Sequence, residues 1–211
     1  MFAVSTYEEV IEREKLIKEK ELVVFLFVRP GSSNYENVIQ EFEYLHYNSS
    51  KSCSIYAIGY TDDFNKKDED DSYHKVINYY LNSDWYYSPK KFAEFKNYLK
   101  DRIHWKYSGE IEVLVLQNNP NSSDPLDFRN YVAIDINYGI RKEYISSFQS
   151  FMESIVQNAC DNIGHIFENG KSRISVKEVL SNTLYDSSFK NTDIQKIIND
   201  RYFYKTPKNY D

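Results

Sequence analysis

Apolar positions fall into short blocks whose spacing changes along the chain, and each spacing predicts an element. From Thr6 to Lys20, Val10, Ile11 and Ile17 recur at near-helical intervals behind a Thr6–Glu9 capping box, which predicts an amphipathic helix. Leu22–Val28 (LVVFLFV) is unbroken and rich in β-branched and aromatic residues, the pattern of a strand covered on both faces. Arg29-Pro30-Gly31 stops it, because Pro-Gly sets a turn in which Gly supplies positive φ. A second capping box, Ser33 with Glu36, opens a helical stripe of Tyr35, Val38, Ile39, Phe42 and Leu45 that runs to about Tyr47. Ser54–Tyr60 reads as the next strand. Strand, helix and strand in about forty residues make a βαβ unit, whose crossover is right-handed.

Past the charged stretch Asp62–Asp71, the spacing of Tyr73, Val76, Ile77 and Tyr80 predicts a helix from Ser72 to about Leu81. A stronger helix follows, with Ser88 as N-cap, Pro89 in the first turn, Tyr87 stapled onto Phe92, and a stripe of Phe92, Phe95, Leu99 and Ile103. Ile111–Leu116 and Tyr131–Ile136 read as an antiparallel hairpin across the turn-rich Asn118–Asp127. A long helix is then expected from about Arg141 to Asn162, with Tyr144, Ile145, Phe148, Phe151, Met152, Ile155, Val156 and Ala159 on one side. Beyond Gly164 the character shifts: residues 171–211 hold eight Lys or Arg against five Asp or Glu, +3, whereas residues 1–170 carry −9. Ser175 with Glu178, and Thr192–Tyr202, read as further helices. The expected organisation is an α/β domain over 1–164 and a helical C-terminal appendage over 165–211 that can fold back onto the acidic body.

Helix, then β-α-β-α-β-β-α, resembles the element order of a thioredoxin-like domain over about residues 6–162. The resemblance implies a three-layer α/β sandwich with a mixed sheet of about four strands, with Leu22–Val28 as its central strand. The turn Arg29-Pro30-Gly31-Ser32-Ser33-Asn34 would stand where redox members of that family carry C-x-x-C. It holds no cysteine, and Tyr107-Ser108-Gly109-Glu110 holds no proline where the family places a cis-proline. The family's thiol chemistry is therefore not implied.

Composition narrows the function classes. With 41% hydrophobic and 17% aromatic residues over 211 positions, the chain can bury a core. A net charge of −6 argues against duplex DNA as a partner, since phosphate contacts need a surplus of Lys and Arg. The longest apolar run is far below the ~20 residues of a membrane span, and no signal-peptide pattern opens the chain, so a cytoplasmic protein is expected. Cys53 and Cys160 form no C-x-x-C and read as two small buried hydrophobes. The abundant tyrosines accompany abundant Asn, Lys, Ile and Phe, a codon-bias signature that makes them weak evidence for a base-stacking surface.

Candidate chemistry is sparse. The Arg29 turn leads: at the end of a parallel strand, Arg29 offers a planar fork, and Gly31, Ser32 and Ser33 offer backbone N–H groups, to a carboxylate or phosphate. The bland alternative is a solvated Arg beside an ordinary capped helix. Asp62 or Asp63, just past the neighbouring strand, could meet Arg29 at the sheet's C-terminal edge, where α/β ligands bind. Trp85 and Tyr87 on one side of the Pro89 helix, and Trp105 and Tyr107 on the other, make a partner-binding platform if exposed and core anchors if buried. The acidic Asp62–Asp71 lacks the EF-hand order, and His46, His74, His104 and His165 lack metal-ligand spacing, so no metal is expected. No cofactor fingerprint is present, neither a P-loop nor a G-x-S-x-G elbow. The expected function is a non-enzymatic binding or adaptor protein whose partner is another protein. One form is immunity- or antitoxin-like, its acidic body neutralising a basic partner. The alternative is a small-molecule or phosphate-ligand enzyme built on the Arg29 turn.

Overall fold

In a computed structural model of the chain, the described residues are 1–17, 22–49, 53–63, 65, 72–77, 84–103, 105–119, 122–169, 176–187 and 193–207. Leu22–Phe27 forms strand β2, and all six of its side chains are buried. Its neighbour on one side is β3 (Cys53–Ile58), parallel, with Phe25 opposite Tyr56; on the other is β7 (Glu112–Asn118), antiparallel, with Phe25 opposite Leu114. β1 (Phe2–Val4) runs parallel to β3 at one edge. β8 (Leu126–Asp135) pairs antiparallel with β7, and β9 (Tyr204–Lys205) closes the far edge. The order β1-β3-β2-β7-β8-β9 makes a mixed sheet of six strands where about four were expected. The two extra strands are two or three residues long, too short for a period-2 pattern to register.

Gly59 takes the chain out of this sheet. At φ +83 it turns after Ile58, its N–H donates to the Val4 carbonyl at 2.9 Å and its carbonyl accepts from the Ser88 N–H at 2.9 Å. A second, three-stranded antiparallel sheet follows, ordered β4 (Tyr60–Thr61), β6 (Trp85–Tyr87), β5 (His74–Ile77). The helix expected from Ser72 is thus a strand over His74–Ile77, while residues 78–81 lie outside the described set. Tyr73, Val76 and Ile77 span too few positions to separate a helical from an extended period, and ladder bonds to β6 settle the backbone.

Helices cover both faces of the large sheet. On one face α1 (Tyr7–Glu14) and α4 (Pro89–Arg102) pack on aromatic side chains: Phe25 meets Phe95 at 5.5 Å between ring centroids, Phe27 meets Phe92 at 5.9 Å, and Tyr7 meets Phe95 at 6.0 Å. On the other lie α3 (Phe42–Asn48), α6 (Phe148–Asn169) and α7 (Val176–Ser187), with α6 against β3 and α7 against β7 and β8. The result is a layered α/β sandwich. Each fully buried Phe or Leu of β2 contributes about 1.5–3 kcal/mol, which is why the ribbon sits in the middle.

Caps set several helix starts. Thr6 accepts from the Glu9 N–H at 3.4 Å, and Ser88 accepts from the Lys91 N–H at 3.0 Å. The Ser33–Glu36 box does not form: α2 (Tyr35–Gln40) starts after Asn34, which sits at φ +62 without a side-chain cap. The expected single helix to Tyr47 is divided at Glu41 into α2 and α3. Likewise the helix expected from Arg141 is two. α5 (Ile136–Arg141), capped by Asp135, precedes a turn holding Tyr144 and Ile145, and α6 begins at Phe148. α6 runs unbroken through the expected boundary at 164/165. Ser175 lies outside the described residues. Among the later residues, α8 (Ile194–Asn199) is capped by Asp193, and the predicted Thr192–Tyr202 helix ends there; the chain then enters β9, so the C-terminal segment supplies a strand of the main sheet as well as helices. Phe203 and Tyr204 join the core.

Candidate functional site

The corner at the end of β2 is built from three pieces of chain. Val28, the last buried residue of the ribbon, accepts a hydrogen bond from the Tyr60 hydroxyl at 3.0 Å. Arg29 then emerges exposed, and its Nε donates to the Gly109 carbonyl at 3.2 Å, which fixes the guanidinium against the loop before β7. The turn is closed by Ser32, whose N–H and hydroxyl both donate to the Arg29 carbonyl, at 3.1 and 2.8 Å. Gly31, at φ +85, has open space where a Cβ would point. Ser33 is exposed, and its carbonyl accepts from Asn137 Nδ2 at 2.9 Å. Asn137 is the keystone below: its Nδ2 also donates to Glu110 Oε2 at 2.7 Å, and its Oδ1 accepts from Asn34 at 3.0 Å.

Of the N–H donors expected from Gly31, Ser32 and Ser33, that of Ser32 is already engaged. The Ser32 N–H serves Arg29, and the Tyr35 N–H donates to the Ser32 carbonyl at 3.2 Å. What the corner presents is Arg29 itself. Among the described residues the guanidinium has no carboxylate partner.

Around Arg29 stand tyrosine hydroxyls. Rings connect in series from Tyr60 to Tyr87 (5.1 Å), Tyr87 to Phe92 (5.9 Å) and Phe92 to Tyr107 (5.5 Å). Burial pushes the hydroxyls of Tyr87 and Tyr107 above the ordinary phenol range, and the nearby Arg29 charge opposes that rise at both. The hydroxyl of Tyr60, fully buried beside Tyr35, is likewise pushed up, chiefly by burial. These phenols stay protonated at neutral pH and act as neutral donors. The hydroxyls of Tyr35 and Tyr107 are buried; Tyr35 meets the Tyr60 hydroxyl and Tyr107 meets the Arg29 guanidinium, contacts that oppose the rise burial causes in each. A fixed guanidinium over neutral hydroxyls suits an oxyanion.

Asp62 does not join this corner. It is exposed beyond β4, which carries the chain into the second sheet, and among the described residues it makes neither an ion pair nor a hydrogen bond with Arg29. Trp85, Tyr87 and Trp105 are 2%, 4% and 2% exposed and anchor the two ends of α4 in the core. Trp85 packs on Phe42 at 5.8 Å; Trp105 packs on Phe27 at 4.6 Å and donates Nε1–H to Glu112 at 2.8 Å. An exposed platform is not what the fold makes of them. Yet Tyr87 and the half-buried Tyr107 end beside Arg29, so two candidates separate in sequence converge in space. Tyr35, Tyr60, Asn137, Glu112 and Lys205 were missed, because no local spacing ties positions 29, 107 and 137 together.

Cys53 is buried in β3, whereas Cys160 is exposed, contrary to the expectation of two buried thiols. Among the described residues no group of three His, Cys, Asp or Glu side chains could hold a metal ion. No helix of the described residues is long and apolar enough to cross a membrane. Compared with family models, curated proteins and solved structures, the chain matches none.

Proposed function

We propose that the chain is a non-enzymatic binding protein on a thioredoxin-like α/β frame without redox cysteines, and that its Arg29 corner grips an anionic group on a partner protein. Support for the thioredoxin-like reading comes from a central strand, parallel to one neighbour and antiparallel to the other, that ends at the turn in question. The single observation behind the binding reading is Arg29: exposed, aimed by Gly109, and without a carboxylate partner among the described residues. An Arg kept for stability would be expected in a buried or paired setting. The enzyme alternative has less support because neither Asp62 nor Asp63, the carboxylates that could have met Arg29, forms an ion pair with it among the described residues. The immunity- or antitoxin-like form, driven by the acidic body, would instead bind a basic partner more weakly as salt rises.

Calorimetry with inorganic phosphate as the probe tests the corner. Wild-type protein is expected to bind one phosphate with a Kd of about 1 mM, roughly −4 kcal/mol. Arg29→Gln should weaken binding at least about tenfold while changing stability by less than about 0.5 kcal/mol, since the side chain is exposed. Equal binding by both proteins would remove the corner from the function.

A further inference from the structure

The loop that aims Arg29 is tied to the C-terminal strand through one buried carboxylate. Glu112, fully buried at the start of β7, accepts the Trp105 indole N–H on Oε2 at 2.8 Å and the Ser108 backbone N–H on Oε1 at 3.0 Å. Lys205 of β9, its side chain only 10% exposed, donates Nζ to the same Oε1. Ser108 is followed directly by Gly109, whose carbonyl receives Arg29 Nε. A second route runs alongside. The Asp135 N–H donates to the Phe203 carbonyl at 3.1 Å, Asp135 caps α5, and Asn137 of α5 holds both Ser33 and Glu110 of the corner.

We propose that β9 is the strut of the Arg29 corner: Lys205 positions Glu112, Glu112 holds the Trp105–Ser108 loop, and that loop presents the carbonyl that aims Arg29. Removing Lys205 leaves a buried carboxylate without its counter-charge. Glu112 must then turn toward water or take up a proton, and either change alters its hold on Trp105 and Ser108. What Arg29 binds rests on the reading above; the strut itself does not. Docking and release of the C-terminal segment would thereby switch the corner between aimed and loose states, a coupling between distant parts of one chain. Lys205 is thus a positioning residue, more than 170 positions along the chain from the group it serves.

The test uses the full chain, labelled with nitrogen-15, as wild type, Lys205→Met, Lys205→Arg and Glu112→Gln/Lys205→Met. The readouts are the Trp105 indole signal, the Arg29 Nε–H signal and a phosphate titration. In Lys205→Met both signals should move, and phosphate binding should weaken about tenfold. Lys205→Arg should keep the wild-type pattern. The double variant should bring back at most one of the two contacts, because Gln strands no charge but its single carbonyl oxygen accepts from Trp105 or from Ser108, and its NH2 accepts from neither. If both signals and the affinity stay as in wild type while the β9 amides lose protection, the strut is overturned. Should Lys205→Met not fold, native-state hydrogen exchange of the wild type decides. The Ser108 amide must open together with β9, below global unfolding, and continued protection of Ser108 after β9 opens overturns the proposal. Signals that respond as expected in a protein that binds no phosphate would uphold the strut and sink the oxyanion reading alone.

Discussion

Glu14 shows how a single buried carboxylate writes itself into the pH dependence of the whole chain. It ends α1 with no exposed surface, and its Oε1 accepts the Tyr56 hydroxyl at 2.6 Å. Burial raises its pKa above the ordinary 4.5, more than the hydrogen bonds from Tyr56, Ser54 and Asn118 lower it. The folded state then keeps a proton that the unfolded chain gives up. Stability is therefore full below about 4.5 and declines as pH rises through the elevated folded value. Glu112 acts in the same direction, burial outweighing the attraction of Lys205. Urea unfolding at pH 4.5 and near neutrality should show this loss. Glu14→Gln should flatten the slope and add about 1–2 kcal/mol near neutral pH. A slope unchanged in Glu14→Gln would mean that burial does not raise the Glu14 pKa above its unfolded value.

Elements meet at a few positions that tolerate no side chain or need a specific one. Gly59 is one: at φ +83, a Cβ added there would sit 2.8 Å from the Phe92 Cβ. Gly59→Ala should cost about 2–4 kcal/mol, combining backbone strain with a clash against α4, and a urea midpoint near wild type would contradict the close approach. Ser88 is another, since its hydroxyl caps α4 while its N–H donates to Gly59. Ser88→Ala should lose about 1 kcal/mol in the same assay. The α4 cap and stripe were legible in sequence because Ser88, Pro89 and Phe92, Phe95 and Leu99 all point one way. The Ser33–Glu36 box was legible and wrong. Asn34, at φ +62, takes the residue before α2 into the left-handed region, so the helix starts one residue late and uncapped. The strand at His74–Ile77 was hidden for a different reason: its partner β6 lies across residues 78–83, and non-local ladders leave no short-range spacing.

At the scale of the molecule, the central ribbon and the βαβ unit were readable because burial on both faces demands an uninterrupted apolar run. The sixth strand was not. Tyr204–Lys205 pairs with β8 and meets Glu112 through Lys205, and both of these partners lie far back in the chain. The corner was half legible. Arg29 announced itself at the end of the ribbon, whereas the loop that aims it and the phenols around it arrive from positions 35, 60, 87, 107 and 109 only when the sheets form. The most direct examination of that corner is a titration of arginine-labelled protein with inorganic phosphate at low salt, following every guanidinium Nε–H signal by NMR. The signal of Arg29 should move saturably, well ahead of Arg102 and Arg129, which already pair with Asp124 and Asp127. A uniform drift of all arginine signals, or no movement at Arg29, would show that this guanidinium is ordinary solvated surface and that the chain's function lies elsewhere.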